Sequence, residues 1–309
     1  MPFTLSHAAA VLPGIRRNGT ARGRLVASAL VAGSFAPDVT YYAATAVPDA
    51  MPFGRITHCA LGVVTVDVLT AYALVAMWLL VREPLVALLP RASWRSRVYA
   101  VVRGRSWQRP LAPSLVGLFS LSAVIGSATH VAWDAFTHAD RFGTRVLPAL
   151  GEKVAGFPFY WYAQYGGSAL AMTGIGWFAL TALRRAPAHR GQAPAGLAVR
   201  ERRLVLSVLI GCTAAAAIYR CLRWYALYGD ASVLGLIPSV YFGGGAGLTA
   251  AALAYAWAWR SGGLGRGVPR DDPAFWGGGG GGPERGGGGG GGRAAGPPRP
   301  EGAAGTLRG

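Results

Sequence analysis

Six apolar stretches follow one another along the chain, and nearly all of them reach the length of about 20 residues that a helix needs to cross a bilayer. Three of the stretches contain no charged side chain, and each of the other three contains one ionisable residue. The six stretches are Leu25–Val47, Cys59–Val81, Leu111–Trp133, Trp161–Leu183, Leu204–Tyr219 and Ala231–Trp259. This pattern predicts an all-α fold, a polytopic membrane bundle of about six transmembrane helices.

The segments that connect these stretches differ in their arginine content. Segments rich in arginine alternate with segments that are poor in charge or balanced, as the positive-inside rule requires of a multi-pass protein. The arginine-rich segments are 1–24, 82–110, 184–203 and 260–309, and the others are 48–58 and 134–160. We therefore predict a multi-pass protein of the inner (cytoplasmic) membrane with a cytoplasmic C-terminus.

Composition agrees with a membrane protein. Of the 309 residues, 52% are hydrophobic and only 14% are charged, whereas soluble domains carry about 25% charged residues. The net charge of +17 would also suit a nucleic-acid-binding protein. Because the arginines are spread over alternate connections instead of one domain, we expect a membrane lipid as partner and no nucleic acid. The oligomeric state is left open.

The end of the chain differs from the rest. After residue 260 the sequence is a low-complexity mixture of glycine, proline and arginine. Such a segment cannot bury enough apolar surface to offset the conformational entropy that it would lose on folding. The sequence thus predicts a membrane helical domain over 1–260 and a disordered tail over 261–309. The three cysteines are too few for a disulfide scaffold.

Ionisable side chains inside apolar stretches are costly to bury and mark candidate functional sites. The densest group is His130, Asp134 and His138, which follow one another at intervals of four residues. Positions i and i+4 share a helix face, so His130 and Asp134 could hold one metal ion, with His138 as a third ligand or a supporting group. Imidazole nitrogen and carboxylate oxygen suit zinc or manganese. The alternative is a polar helix end that meets water, with a structural His–Asp hydrogen bond.

A proline interrupts the first apolar stretch directly before Asp38. Pro37 breaks the helical hydrogen bonds, and irregular backbone at membrane depth is tolerated where it lines a cavity. Asp38 is therefore a candidate bridging ligand or catalytic base. The alternative is a carboxylate that caps the second half of the helix.

Two ionisable residues lie in or beside the second apolar stretch. His58 directly precedes it, on the same predicted membrane side as Asp134, and by itself is a weak candidate ligand. Asp67 lies nine residues further along, about 13 Å deeper in a helix. We expect Asp67 to pair with a polar group between helices more readily than to bind a metal.

The polar motifs together resemble a known family. Five motifs closely resemble the DUF4184 family of bacterial membrane proteins. They are the opening Met-Pro-Phe-Thr-Leu-Ser-His-Ala-Ala, Gly-Ser-Phe-Ala-Pro-Asp at 33–38, Thr-His at 57–58, Ala-Thr-His-Val-Ala-Trp-Asp-Ala-Phe-Thr-His at 128–138 and the run at 158–168. The resemblance covers roughly residues 1–260 and excludes the tail.

The order of the polar residues is also similar to a more distant pattern. Zinc-dependent phospholipase C, the S1/P1 nucleases and the YdjM-type membrane-bound metal-dependent hydrolases carry a His, an Asp, a His and then His-x-x-x-Asp. This resemblance implies a zinc site that hydrolyses phosphoesters. The matching positions are His7, Asp38, His58, His130 and Asp134. The soluble enzymes have further ligands downstream, where this chain offers only Asp140, Glu152 and His189, so one or two ions are expected.

The position of His7 leaves two alternatives. If it lies on the cytoplasmic side, a membrane thickness of about 30 Å separates it from His58 and His130, and it is not a ligand. Otherwise Pro2–Ile15 forms a re-entrant helix, about 21 Å long, and Arg16–Arg24 forms the inner turn.

These observations lead to two functional hypotheses. The first is a membrane-bound metal-dependent hydrolase whose substrate is a lipid or a lipid-linked phosphoester. It would use a divalent metal of the zinc type, with Asp38 as the catalytic residue. The metal ligands would be drawn from His7, Asp38, His58, His130, Asp134 and His138. The second is a non-enzymatic transporter or scaffold in which the His and Asp residues pair between helices.

Overall fold

The computed structural model describes residues 3–103, 113–186, 193–229 and 232–264. Within these ranges the chain is almost entirely helical, which confirms the all-α class. The described residues also contain a short antiparallel hairpin of β1 (Lys153–Val154) and β2 (Phe157–Pro158). The predicted tail lies outside the described residues from position 265 onward, so its disorder stays a prediction.

Short helical segments and long apolar helices alternate in the described part. The α-helices are α1 (Ala8–Val11), α2 (Ala27–Phe35), α3 (Val39–Ala43), α4 (Gly54–Thr57), α5 (Ala60–Val64), α6 (Val66–Ala87), α7 (Ala92–Val102), α8 (Pro113–Thr137), α9 (Phe142–Val146), α10 (Phe159–Arg185), α11 (Val199–Tyr228) and α12 (Val233–Arg260). The 3-10 turns are Thr4–His7, Leu12–Gly14, Ala36–Asp38, Pro48–Phe53 and Pro148–Gly151. Five helices in the described ranges, α6, α8, α10, α11 and α12, are long and apolar enough to cross a membrane.

The first predicted span is not one continuous helix. Between Leu25 and Val47 the structure has α2, a 3-10 turn at Ala36–Asp38 and the short α3. The physical reason is Pro37, which has no N–H group and clashes with the preceding helical turn. The described chain therefore has five continuous spans where the pattern predicted about six. The second predicted span is also divided, at Thr65, whose backbone angles (φ −124°, ψ −82°) are not helical.

Small residues let α2 lie directly against α8. A Cβ atom at Gly33 would lie 2.3 Å from the carbonyl oxygen of Ala123, and one at Gly126 would lie 2.3 Å from the carbonyl oxygen of Leu30. Such close backbone approach is typical of helix pairs in membranes. The Ser127 hydroxyl also donates to the carbonyl of Gly33 at 2.9 Å. This contact brings the break after α2 next to the C-terminal half of α8.

The N-terminal segment folds into the bundle. Its short helical turns, which end at Gly14, contact α2, α8 and α10. Thr4, Ser6 and His7 are all buried there. Of the two alternatives for this segment, the structure has the one in which it re-enters the bundle, although as several short turns instead of one helix.

Described arginines from two of the arginine-rich connections lie at one end of the bundle. Arg97 donates to the carbonyl of Leu183 at 3.4 Å, and Arg260 donates to the carbonyl of Leu80 at 3.0 Å. These contacts join the C-terminal halves of α6 and α10 to basic segments. The candidate site described next lies at the opposite end, where α8 ends and α10 begins.

Candidate metal centre

Four buried side chains converge near the C-terminal end of α8. They are Asp38, His58, His130 and Asp134, and one ligand atom from each lies within 4.8 Å of all the others. Asp38 and His130 are 0% exposed. Among the residues that the structure describes, this group brings together four of the six candidate ligands predicted from the sequence.

Each side chain reaches the group through a local feature of the chain. His130 and Asp134 are one turn apart on α8, which places both on one helix face. Asp38 lies in the 3-10 turn at the proline break, and His58 directly follows α4. The Thr57 hydroxyl donates to the carbonyl of Pro37 at 2.7 Å and so ties these two segments together.

The nitrogens and carboxylate oxygens alternate around the centre. His130 Nε2 lies 3.4 Å from Asp38 Oδ1 and 3.6 Å from Asp134 Oδ2. His58 Nε2 lies 3.7 Å from Asp38 Oδ1 and 3.4 Å from Asp134 Oδ2. These separations are longer than ordinary charged hydrogen bonds of about 2.7–2.9 Å. Each histidine thus faces both carboxylates without closing a short hydrogen bond to either.

Backbone carbonyls set the orientation of both imidazoles. His58 Nδ1 lies 2.8 Å from the carbonyl oxygen of Gly54, and His130 Nδ1 lies 2.7 Å from that of Ser34. A carbonyl only accepts, so Nδ1 carries the proton and donates in both rings. In the neutral imidazole this leaves a lone pair on Nε2, which points into the centre. Metal-binding histidines in proteins have this arrangement.

The inward atoms have no other partners. Asp38 Oδ1, His58 Nε2 and His130 Nε2 make no hydrogen bond to any residue that the structure describes, and neither does Asp134 Oδ1, which lies on the side of His7 and His138. Burying unpaired carboxylates costs several kcal/mol, on the order of the penalty for any uncompensated buried charge. A divalent cation in the centre would satisfy the three inward atoms together. The group could therefore hold a metal ion.

Asp134 contacts histidines through both of its carboxylate oxygens. Oδ2 faces His58 and His130, whereas Oδ1 lies 3.6 Å from His7 Nε2 and 3.5 Å from His138 Nδ1. The ring of His7 also stacks on that of His130, with centroids 3.6 Å apart. His7 is thus placed beside the four-residue group, where it could add a ligand on the Oδ1 side of Asp134.

His138 differs from the other histidines because protein groups contact both of its ring nitrogens. Its Nδ1 lies 3.2 Å from the backbone carbonyl of Asp134, and Gln164 Nε2 lies 2.9 Å from its Nε2. Burial lowers the pKa of His138 to about 4, so the ring is neutral near pH 7 and Nε2 accepts from the Gln164 amide. Of the two roles that the sequence left open, this geometry suits the supporting one.

Sequence reasoning missed two polar residues that support the centre. Thr4 donates its hydroxyl to Asp38 Oδ2 at 2.6 Å, and Gln164 holds His138 as described above. Gln164 stood out weakly as a large polar residue within an uncharged apolar stretch. Thr4 carried no such signal, because a threonine near the start of a chain is ordinary.

Asp67 lies outside the four-residue group. It is 0% exposed, and neither of its carboxylate oxygens has a hydrogen-bond partner among the described residues. The polar partner that we expected between helices is therefore not found there. Asp67 lies in the first turn of α6 and is a buried carboxylate without a hydrogen-bond partner in the described part of the chain.

We expect Asp67→Asn to keep the metal content of the wild type and to raise the Tm by a few degrees. The amide removes a buried carboxylate that lacks a partner, and it leaves the four candidate ligands in place. Metal analysis and thermal denaturation of the detergent-purified protein measure both effects. Loss of the metal in this variant would instead make Asp67 a ligand.

The fold and the centre together define a helical, multi-pass membrane protein with a buried His/Asp group that could hold a metal ion. The chain belongs to the family described as a domain of unknown function, DUF4184, whose family model matches residues 1–257. This range includes every residue of the candidate centre and confirms the family resemblance. The chain matches no curated protein and no solved structure.

Proposed function

We propose that this protein is a membrane-bound metal-dependent hydrolase. The observation that carries the proposal is the convergence of Asp38, His58, His130 and Asp134, whose ligand atoms lie within 4.8 Å of one another in a buried setting. Buried ionisable groups at membrane depth are expensive and mark functional sites. Two imidazoles with oriented Nε2 lone pairs and two carboxylates form a donor set for a divalent cation.

Zinc is the metal that we propose for this donor set. Zinc–nitrogen and zinc–oxygen bonds of about 2.1 Å in a tetrahedron place neighbouring ligand atoms about 3.4 Å apart. The four nitrogen–oxygen separations here are 3.4, 3.4, 3.6 and 3.7 Å. When bound at such a site, zinc lowers the pKa of water toward 7 and polarises a phosphoryl or acyl oxygen. One or two ions are compatible with the proposal, since His7 lies on the far side of Asp134.

Asp38 has the contacts that a catalytic carboxylate needs. Its Oδ1 faces the histidines, and its Oδ2 accepts the hydroxyl proton of Thr4 at 2.6 Å. This hydrogen bond holds the plane of the carboxylate and leaves one oxygen directed at the centre. We assign Asp38 the role of ligand and of acceptor for a proton from an attacking water.

A substrate in the membrane follows from the position of the centre. It lies at the end of the bundle away from Arg97 and Arg260, which belong to arginine-rich connections that the positive-inside rule assigns to the cytoplasm. We propose the inner membrane as the location, a cytoplasmic C-terminus and a site near the outer face. A lipid or lipid-linked phosphoester is the substrate class, which rests on the likeness to zinc phospholipases and nucleases and is therefore an argument by analogy.

A non-enzymatic transporter is the second candidate. Asp67 favours it, because a fully buried carboxylate without a partner inside a long apolar helix is typical of ion-coupled transport. Uptake of a substrate that depends on Asp67 and needs no bound metal would support this alternative.

The hydrogen bond from Thr4 offers a test of the hydrolase. We expect Thr4→Val to lower kcat about 10- to 100-fold, the usual effect of removing a group that orients a ligand. Thr4→Ser retains a hydroxyl and should restore most of the rate. The assay is phosphate release from p-nitrophenyl phosphate and from vesicles that contain phosphatidic acid, with zinc-loaded protein and with metal content measured in parallel.

Either of two results would contradict the proposal. One is the absence of hydrolysis across this panel by zinc-loaded wild-type protein. The other is hydrolysis that proceeds equally well in Thr4→Val and in Asp38→Asn, because activity would then arise elsewhere.

A further inference from the structure

A groove runs between α8 and α10 beside the candidate centre. Its volume is about 450 Å³, which lies within the range of about 300–1,000 Å³ typical of small-molecule sites. The groove is lined by Thr129, Ala132, Trp133, Phe136, Thr137 and Ala163. Both helices are long and apolar enough to cross a membrane, so the groove lies on two candidate membrane spans.

The lining offers apolar contacts only. The hydroxyl of Thr129 donates to the carbonyl of Gly126 at 2.7 Å, and that of Thr137 donates to the carbonyl of Trp133 at 3.1 Å. Both hydroxyls are thus bonded to their own helix. The other lining residues are two alanines and the partly exposed rings of Trp133 and Phe136. The groove offers no free hydroxyl group to a ligand. A ligand that fits it is therefore apolar, as an alkyl chain is.

The groove and the candidate centre are neighbours on both helices. On α8 the groove residue Trp133 directly precedes Asp134, and successive positions on a helix differ by about 100°. On α10 the groove residue Ala163 directly precedes Gln164, which contacts His138. The same two helices therefore present a polar stripe to the bundle interior and an apolar stripe beside it.

Gly167 brings Trp133 close to α10. A Cβ atom at this glycine would lie 2.7 Å from Cζ2 of Trp133, so the indole ring lies against the glycine backbone. The large ring forms a wall of the groove instead of extending freely away from the bundle.

We propose that this groove binds an alkyl chain of the lipid whose phosphoester group is placed at the metal centre. The proposal rests on the proposed function and deepens it, because it makes the substrate a lipid with a free chain end, drawn laterally from the bilayer. A water-soluble phosphoester would leave the groove without a role. The length of the alkyl chain then becomes a determinant of substrate specificity. The side chains at 132, 133, 136 and 163 set the length that the groove accepts.

A photoreactive alkylphosphonate tests the proposal without requiring turnover. The probe is dodecylphosphonate with a diazirine at the end of its chain, added to zinc-loaded, full-length protein in lipid nanodiscs. We expect labelling to concentrate on peptides that contain residues 129–137 and 160–167, and unlabelled dodecylphosphonate in excess to suppress it. Peptides of α11 and α12 should carry only background label.

A matched pair of variants gives the quantitative test. Ala163→Phe fills the groove and should lower the labelling about tenfold, which corresponds to the loss of about 1.4 kcal/mol of binding free energy. Ala169→Phe adds the same ring at an exposed position of α10 outside the groove and should label like the wild type. Both variants should retain the wild-type metal content, because neither substitution replaces a candidate ligand.

The possible outcomes separate this proposal from the proposed function. Uniform labelling of all lipid-facing helices, or labelling that dodecylphosphonate does not suppress, would overturn the groove proposal and show only bulk lipid. Specific labelling of the groove without hydrolysis of any phosphoester would support the groove as a lipid site and count against the hydrolase. Hydrolysis with equal rates in Ala163→Phe and Ala169→Phe would overturn the groove as a determinant of specificity.

Discussion

His130→Ala should lower the affinity for zinc at least about a hundredfold, because even changes to groups that only support a ligand cost 10- to 100-fold. His130 is 0% exposed, lies within reach of both carboxylates and carries an inward Nε2 without another partner. Its removal leaves two acidic groups facing one remaining imidazole of the four-residue group. The measurement is zinc content after purification, followed by competition with a chelator of known affinity.

A control is needed because loss of a buried ring also affects packing. Asp67→Asn, whose carboxylate is equally buried but lies outside the group, should keep its zinc. Elution of His130→Ala in size-exclusion chromatography as for the wild type would show that the bundle is intact. If such a folded variant held zinc as tightly as the wild type, the centre would not lie at His130.

Gly126→Ala should destabilise the protein by about 3 kcal/mol and should also weaken metal binding. The added Cβ would lie 2.3 Å from the carbonyl oxygen of Leu30 and 2.8 Å from the amide nitrogen of Ser34. These are backbone atoms, so relief requires α2 to move away from α8. Since the carbonyl of Ser34 orients His130, the separation would release that ring as well.

The same helix supplies the matched control. A Cβ atom at Gly117 meets nothing within 4 Å, so Gly117→Ala should leave stability unchanged or slightly raised, because alanine favours helix over glycine. Thermal unfolding in detergent compares the two variants directly, and a loss of about 3 kcal/mol corresponds to about 6–12 °C in Tm. Equal Tm values for the two variants would show that α2 and α8 are not in close contact.

The long helices could be predicted from the sequence because hydropathy acts locally. A run of about 20 apolar residues is sufficient to indicate a span, whatever it packs against. The structure confirms this for α6, α8, α10, α11 and α12, and the break at Pro37 was also evident from the chemistry of proline. What the pattern overestimated was the continuity of the first stretch, since the proline divides it into two short helices.

The candidate centre was only partly visible in the sequence. His130 and Asp134 share a face of one helix, so their spacing alone brought them together. Asp38 and His58 lie on other segments, and their approach depends on the close packing of α2 on α8 through Gly33 and Gly126. A glycine in an apolar stretch has many explanations, so this contact could not be deduced from composition.

The sequence by itself determined the class of this protein: a helical membrane protein whose arginine-rich connections alternate with arginine-poor ones and whose apolar stretches contain a few ionisable residues. These properties follow from the cost of burying charge, which each segment faces independently. Only the tertiary structure decided which ionisable residues meet. It placed His7 beside Asp134, gave Asp38 its hydrogen bond from Thr4 and left Asp67 apart, because these outcomes depend on contacts between segments far apart in the chain.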